Sequence, residues 1–352
     1  MFGWSDKAIA STSIAEAKGQ NILRRYLRLQ PLSGWDYDWS TAIFLYGSIR
    51  YCERYGATQS TCAFIDDYFS SLKRQSLPVV TMPDLAAMAL PASQWLPYAS
   101  KEARANIDII LKNTKAFFES EPLNRKQVFD HVGKRHSFYW WLPPTSWFMP
   151  SSVWADSVVM YGLNGIFLAR AQNDKKLERF SFEQVSKIES TLLNPAAGLY
   201  KHAYFIPFGI YAPRESYWAR GNAWIALALV DALTQTQSES SFAPDLKRAL
   251  NSLLERLQPF FDNEHGFRTL LGSTATSNDF ESSSSALYVY SLLKSIRMGF
   301  VSKDALPIAS SYQQALIKKY LVDKGDGEIS VTGISGPTTA IPFDWYYTYL
   351  VP

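Results

Sequence analysis

The chain has 352 residues, of which 35 are lysine or arginine and 32 are aspartate or glutamate, for a formal net charge of +3. So even a balance excludes nucleic acid or an anionic membrane as a partner recruited by bulk charge, and any anion must be met at a local site. Aromatic residues make up 15% of the sequence, with 11 Trp and 20 Tyr, enough for a large helical core and for platforms that stack flat ligands such as sugar rings.

The opening segment "MFGWSDKAIASTSIAEAKGQ" has no basic region followed by an apolar run, so no secretory leader is read and a cytoplasmic, soluble location is expected. No apolar run approaches a membrane span. A first helix is predicted near 12–29. Near 38, "DWSTAIFLYGSIRY" begins a helix that is apolar nearly all round, and an amphipathic helix follows over roughly 58–74. Cys52 and Cys62 fall in these two patterns, and reduced core thiols are expected there. "PDLAAMALPA" starts a second all-round apolar helix near 83. An amphipathic one runs over 101–119 through Ile107, Ile110, Leu111 and Phe117.

The stretch 122–152, with His131 and His136 among Trp and Pro, is too long for a plain connector and reads as a functional loop. "VWADSVVMYGLNGIFLA" begins a third apolar helix near 153, followed by an amphipathic one over 176–194. A fourth, "WARGNAWIALALV", begins near 218. Residues 243–260 then place Leu246, Leu250, Leu253, Leu254 and Leu257 on one stripe, with Pro244 at the start and Pro259 at the stop. "SSSALYVYSLLKSI" starts a fifth apolar helix near 283, and 304–321 is again amphipathic.

A helix apolar on every side is buried on every side. The alternation therefore predicts an inner ring and an outer ring of helices, about six hairpins, as an (α/α)6 barrel that takes in residues 1–352 as one domain. Inner helices all run the same way, so their N-termini gather at one rim. Collected there are "WDYDW" at 35–39 with Tyr37 and Trp39, Asp84, Asp156, Trp218, Arg220, Trp224 and "DFESSSS" at 279–285, with His202 shortly before the Arg220 helix.

An aspartate near a helix start is commonly a cap or a dipole partner, and Asp84, after Pro83, fits that description. Asp156 fits it less well. With Ser151 or Ser152 as cap, Asp156 lies one turn inside the helix among Val153, Trp154, Val158 and Val159. Its pKa is expected to rise, as a general acid requires. Arg220 is a cation in the first turn of a helix, opposed by the macrodipole. A guanidinium there matches a carboxylate, and Trp218 and Trp224 offer faces for a sugar ring. The alternative is a structural ion pair with Asp279 or Glu281. The dipole argument alone predicts that Arg220→Gln leaves the empty protein unchanged or slightly more stable. Gly221 and Asn222 read as residues that let the chain turn tightly beside Arg220. The four histidines share no metal-ligand spacing, and no phosphate loop or dinucleotide fingerprint is present, so neither metal nor organic cofactor is expected.

These segments resemble a known family. "YWARGNAW" is similar to the Trp-x-Arg-Gly-Asn-x-Trp motif of unsaturated rhamnogalacturonyl hydrolases, glycoside hydrolase family 105, and of their relatives in family 88. "VWADSVVMYGLNGIFLAR" resembles the segment with their catalytic aspartate, "LYKHAYF" their substrate-binding histidine segment, and "ESSSSALYVYSLLKSIRMGFV" a late inner helix. The resemblance implies an (α/α)6 barrel that removes a 4,5-unsaturated uronic acid from the non-reducing end of small lyase-made oligosaccharides. Asp156 would be the general acid and base, with Asp84 the second carboxyl. Arg220 would meet the uronate carboxylate, His202 the sugar, and Trp218, Trp224, Tyr37 and Trp39 would shape the pocket. The chain departs from the family in "PPTSWFMPSS", which stands where a His-Lys pair usually precedes the aspartate. Such an enzyme would work as a monomer or homodimer. Two other readings stay open: an inverting glycosidase with Asp84 and Asp156 roughly 6.5–9.5 Å apart, and a non-catalytic barrel that only binds oligosaccharides.

Overall fold

In the computed structural model, residues 6–56, 62–72, 77–132, 150–236 and 241–349 are described. Buried helices neighbour one another in sequence order. Trp39–Tyr55 packs on Ala89–Trp95, which packs on Asn164–Ala171. The turns just before, Val158–Leu163, pack on Ala219–Gln235, which packs on Ser282–Arg297. Outside them lie Ala63–Ser71, Lys101–Ser120, Lys175–Leu192, Ala243–Leu257 and Leu306–Tyr320, each against an inner partner, with Asp6–Leu29 against Trp39–Tyr55. This is the predicted (α/α)6 architecture.

The two rings differ as their sequences do. In Ala219–Gln235 every residue from Gly221 to Leu233 is buried. In Ala243–Leu257 only Leu246, Leu250, Leu253, Leu254 and Leu257 are, and Pro244 sits in the first turn, where its missing N–H costs nothing. The inner helix expected from 83 is broken into Pro83–Ala86 and Ala89–Trp95. The break places Pro91 inside a first turn, the one place a helix tolerates it. Where a helix was expected from 153, residues Ser152–Trp154 form a strand, paired with Ala203–Phe205, and helical structure begins only at Ser157. That helix opens with a turn of π geometry, Val158–Leu163, a form that clusters at functional sites.

Short strand pairs join the connectors at the rim: Leu193–Asn194 with Leu199–Tyr200, Tyr217–Trp218 with Leu270–Leu271, and Phe267–Arg268 with Phe280–Glu281. The sixth hairpin is irregular. After Leu306–Tyr320 the chain makes a strand pair, Leu321–Asp323 with Ile329–Val331, then crosses the rim and ends in one short helix, Asp344–Tyr349.

The expectation of reduced thiols is overturned. Cys52 and Cys62 form a disulfide across 6.1 Å between their Cα atoms. Both are buried, and the helical patterns that hold them turn back on each other. Periodicity alone does not show that approach.

Candidate active site

The rim residues surround a cavity of about 560 Å3. Asp84, Asp156, Arg220, Trp39, Trp218 and Trp224 line it, as anticipated. Tyr37 does not: it packs into the aromatic core around Trp35 and Tyr68, while its neighbour Asp38 caps Trp39–Tyr55 through the Ser40 and Thr41 N–H groups. His202 is wholly buried behind Asp156 rather than open to the cavity.

Asp156 sits in the turn between strand and helix, and its side chain is 17% exposed. The serines thought to cap it are engaged elsewhere. The Ser151 hydroxyl and the Ser152 N–H both donate to Asp130, at 2.6 and 2.8 Å. The Ala155 N–H donates to the His202 carbonyl at 2.7 Å, so strand pairing rather than helix capping aims the carboxyl. Oδ2 of Asp156 lies 3.2 Å from Nε2 of His202, in a contact bent away from ideal hydrogen-bond alignment. Burial alone would lift the Asp156 pKa, but the His202 partner and the field of His131 outweigh it and hold the carboxyl below its ordinary value. The expected rise is therefore reversed, because the sequence shows apolar neighbours but not the two histidines.

Asp84 behaves in the opposite way. It stands in the first turn of Pro83–Ala86, where burial and the like charges of Asp156 and Asp38 push it up to about 6. Asn164 ties the two turns together by donating to the Ala86 carbonyl at 2.6 Å and the Met160 carbonyl at 3.1 Å.

His131 also lines the cavity, flat on Trp154 at 4.1 Å between ring centres, with Nδ1 3.0 Å from the Ser157 hydroxyl. Burial pushes its pKa down to about 4, so its ring is neutral at ordinary pH. His131 belonged to the long loop read as functional, but nothing local marked it as a neighbour of Asp156. His136 and the tryptophans of 140–147 lie outside the described residues.

The structure explains the run Trp218-Ala-Arg-Gly-Asn residue by residue. The Arg220 guanidinium lies over the Trp218 ring, 5.0 Å from its centre. A Cβ on Gly221 would stand 2.8 Å from that indole, so glycine is required for the ring to lie on the helix. Asn222 is buried, donates to the carbonyls of Tyr200 and Trp218, and accepts from the Tyr200 N–H, pinning the segment that leads to His202. Both glycine and asparagine thus serve packing around the site rather than a tight turn.

Arg220 itself is well occupied. It donates to the Ser335 and Gly336 carbonyls at 2.9 and 2.7 Å and to the Thr338 hydroxyl at 2.7 Å, and it pairs with Glu281 at 3.6 Å. Glu281 caps Ser282–Arg297. The dipole penalty is met from within the protein, and residues 334–339, which no motif had marked, form one wall of the cavity. The structural ion pair held open as an alternative is present. Among the described residues no group of three or more His, Cys, Asp or Glu is placed to hold a metal ion.

The sequence matches Glycosyl Hydrolase Family 88 over residues 8–350. It is 29% identical over 152 residues to Protein Atu3128 of Agrobacterium fabrum. The match takes in 40% of this chain and 64% of that protein, so the chain spans just under two thirds of that relative's length. Two solved structures share the fold. A glycoside hydrolase of family 105 from C. acetobutylicum superposes with a TM-score of 0.78 at 17% identity, over 96% of this chain and 93% of the other. The unsaturated glucuronyl hydrolase of Bacillus sp. GL1, described as responsible for glycosaminoglycan degradation, gives 0.68 at 14% identity, over 92% and 88%. With its family match extending over nearly its whole length, the chain belongs to Glycosyl Hydrolase Family 88.

Proposed function

We propose that the chain, as a single domain, hydrolyses lyase-made oligosaccharides by removing a 4,5-unsaturated uronic acid from the non-reducing end. The reaction adds a proton to C4 and water to C5 of the vinyl ether. The resulting hemiketal opens and releases the next sugar. Asp156 delivers the proton to C4 and takes one back from the water, so the carboxyl ends as it began.

The observation that carries this reading is the pair of carboxyls in one cavity, Asp84 pushed up to about 6 and Asp156 held low. Two acids whose environments drive them apart are the mark of acid–base work. In the empty site the shared proton rests on Asp84. An entering uronate adds a negative charge and displaces water, and both effects raise Asp156 toward protonation. The uronate carboxylate reaches Arg220 by replacing the Gly336 contact, the exposed one among the hydrogen bonds of the guanidinium. Trp39, Trp218 and Trp224 bound the ring, and His202 supports Asp156 from behind.

The Cys52–Cys62 bond argues for an oxidising compartment over the cytoplasm expected from the N-terminal sequence. The test of the function is ultraviolet absorbance of the conjugated double bond across a panel of pectin- and glycosaminoglycan-lyase products. Loss of absorbance with release of the shortened saccharide supports the reading. Cleavage of saturated uronides at a similar rate points to an inverting glycosidase instead, and binding without turnover to a carbohydrate-binding barrel.

A further inference from the structure

Tyr347, in the short C-terminal helix Asp344–Tyr349, lies far from every motif and is fully buried. Asp344, at the head of that helix, accepts from the N–H groups of Glu215 (3.3 Å) and Ser216 (2.9 Å) and from the Ser216 hydroxyl, which docks the helix beside Trp218. The docking places the Tyr347 hydroxyl 2.8 Å from Nδ1 of His202. The same oxygen faces the Ile341 N–H at 3.3 Å.

Two polar groups thus meet at one buried phenol. The Ile341 N–H can only donate, so it uses a lone pair of the oxygen. The phenol has one proton of its own. Among the described residues, no acceptor other than Nδ1 reaches it. Were Nδ1 to carry a hydrogen, the phenol proton would be left buried with no partner, which is unfavourable. The phenol therefore donates to Nδ1, and a neutral His202 carries its hydrogen on Nε2, the nitrogen that faces Asp156.

We propose that Tyr347 is a positioning residue: by occupying Nδ1 it fixes His202 as the Nε2–H tautomer, with the hydrogen on the nitrogen that lies 3.2 Å from the carboxyl of Asp156. The rest of the surroundings agree. The imidazole is held between the rings of Trp218, 4.0 Å away, and Trp154, at 5.2 Å, so it cannot swing to another partner. The charged and titratable groups around it are Asp156 in front, Tyr347 behind, and His131 and Arg220 to the sides. Among the described residues only Asp156 of these is an anion, so the hydrogen sits on the nitrogen that lies on the carboxylate's side of the ring. Burial and Arg220 keep His202 below its ordinary pKa, although Asp156 opposes them. Tyr347 stays protonated, its pKa well above the ordinary value through burial.

The inference rests on the proposed activity only for its kinetic arm. Its direct test is nitrogen-15 NMR of the histidine rings in the intact protein, with His202 assigned through His202→Gln. The expected result is a bare Nδ1 and a protonated Nε2 at neutral pH. A hydrogen on Nδ1, or a doubly protonated ring, overturns the proposal whatever the enzyme does. In Tyr347→Phe the His202 signals should move toward the average of two exchanging tautomers. With an unsaturated uronide, kcat should fall about tenfold or more while KM hardly changes, a loss on the scale of those known for partners that orient metal-bound histidines. A wild-type kcat in a folded Tyr347→Phe also overturns it. If that variant does not fold, the wild-type spectrum decides alone. Failure of the wild type to consume any unsaturated uronide removes the proposed function and leaves the spectroscopic result standing.

Discussion

The turn that carries Asp84 and the turn that carries Asp156 open on the same cavity and treat a carboxyl in opposite ways. Around Asp84 the protein supplies burial and the like charges of Asp156 and Asp38, with no hydrogen-bond donor among the described residues. Around Asp156 it supplies deeper burial still and then two histidines, one of them in contact. In the sequence both are acids near the start of an inner helix, and the raised carboxyl was expected at Asp156, the reverse of what the structure gives. What separates them is a strand pairing that brings His202 from 46 positions away, so the chemistry of the rim is set by the connectors more than by the helices.

The largest expected effect comes from erasing one side of that contrast. Asp156→Asn should keep the fold and substrate binding and lose about 10²–10⁴ of turnover, since the amide has the same shape and cannot pass a proton. Retention of most of the rate would transfer the acid–base role to Asp84.

Asp84→Asn erases the other side. Turnover should fall less, by about tenfold, and the loss should depend on pH. In the wild type kcat/KM should decline as pH rises through about 6, where the pair gives up its shared proton. The variant should lack that limb. Stability moves the other way. A carboxyl whose pKa is raised by folding stabilises the protein while protonated, and that contribution fades as pH rises from about 4 to about 6. The empty variant should therefore melt higher than the wild type at pH 7 and lose this advantage near pH 4. An advantage that does not depend on pH would mean that Asp84 is not the group being relieved.

Arg220→Gln should act mainly on KM and on stability. The dipole argument had this change neutral or mildly stabilising, but it removes the cation opposite buried Glu281 and three contacts to residues 335–338. A loss of about 1–3 kcal/mol is expected for such a buried partner. The preference for a free uronate over its methyl ester should disappear as well. A melting temperature equal to the wild type would show that Glu281 and the wall 334–339 hold without the arginine.

What could be read in advance follows from how far each signal reaches. Helix Ala243–Leu257 was legible down to its prolines because a stripe of leucines needs only its own neighbours. Arg220, Trp218 and Trp224 were legible as a group because they share one helix start. Asp156 was placed in the right cavity with the wrong local structure, since Ser152–Trp154 becomes a strand only through Ala203–Phe205, about 50 residues on. His131, Tyr347 and the wall 334–339 carry no local mark. They reach the site through connectors that cross the rim. The disulfide was missed for the same reason, because two helical patterns do not reveal which of their faces meet.

The smallest expected effect tests whether the two turns are coupled. Asn164 is buried, and its amide joins the Ala86 carbonyl behind Asp84 to the Met160 carbonyl in the helix after Asp156. Asn164→Ala leaves both carboxyls and both histidines in place and removes only the tie. Part of the rise in Asp84 comes from the charge of Asp156, and that part depends on their separation. Once the turns are free to relax apart, like charges should do so. Asp84 should drop back toward the ordinary carboxylate range, and the high-pH limb of kcat/KM should move to lower pH with it, while kcat at the optimum changes little. Asp156, held by His202, should stay where it is, so the low-pH limb should not move. Titration of the rate in wild type and variant measures both limbs at once. A high-pH limb that stays near 6 would show that burial alone sets Asp84, and that the two turns share a cavity without sharing a charge balance.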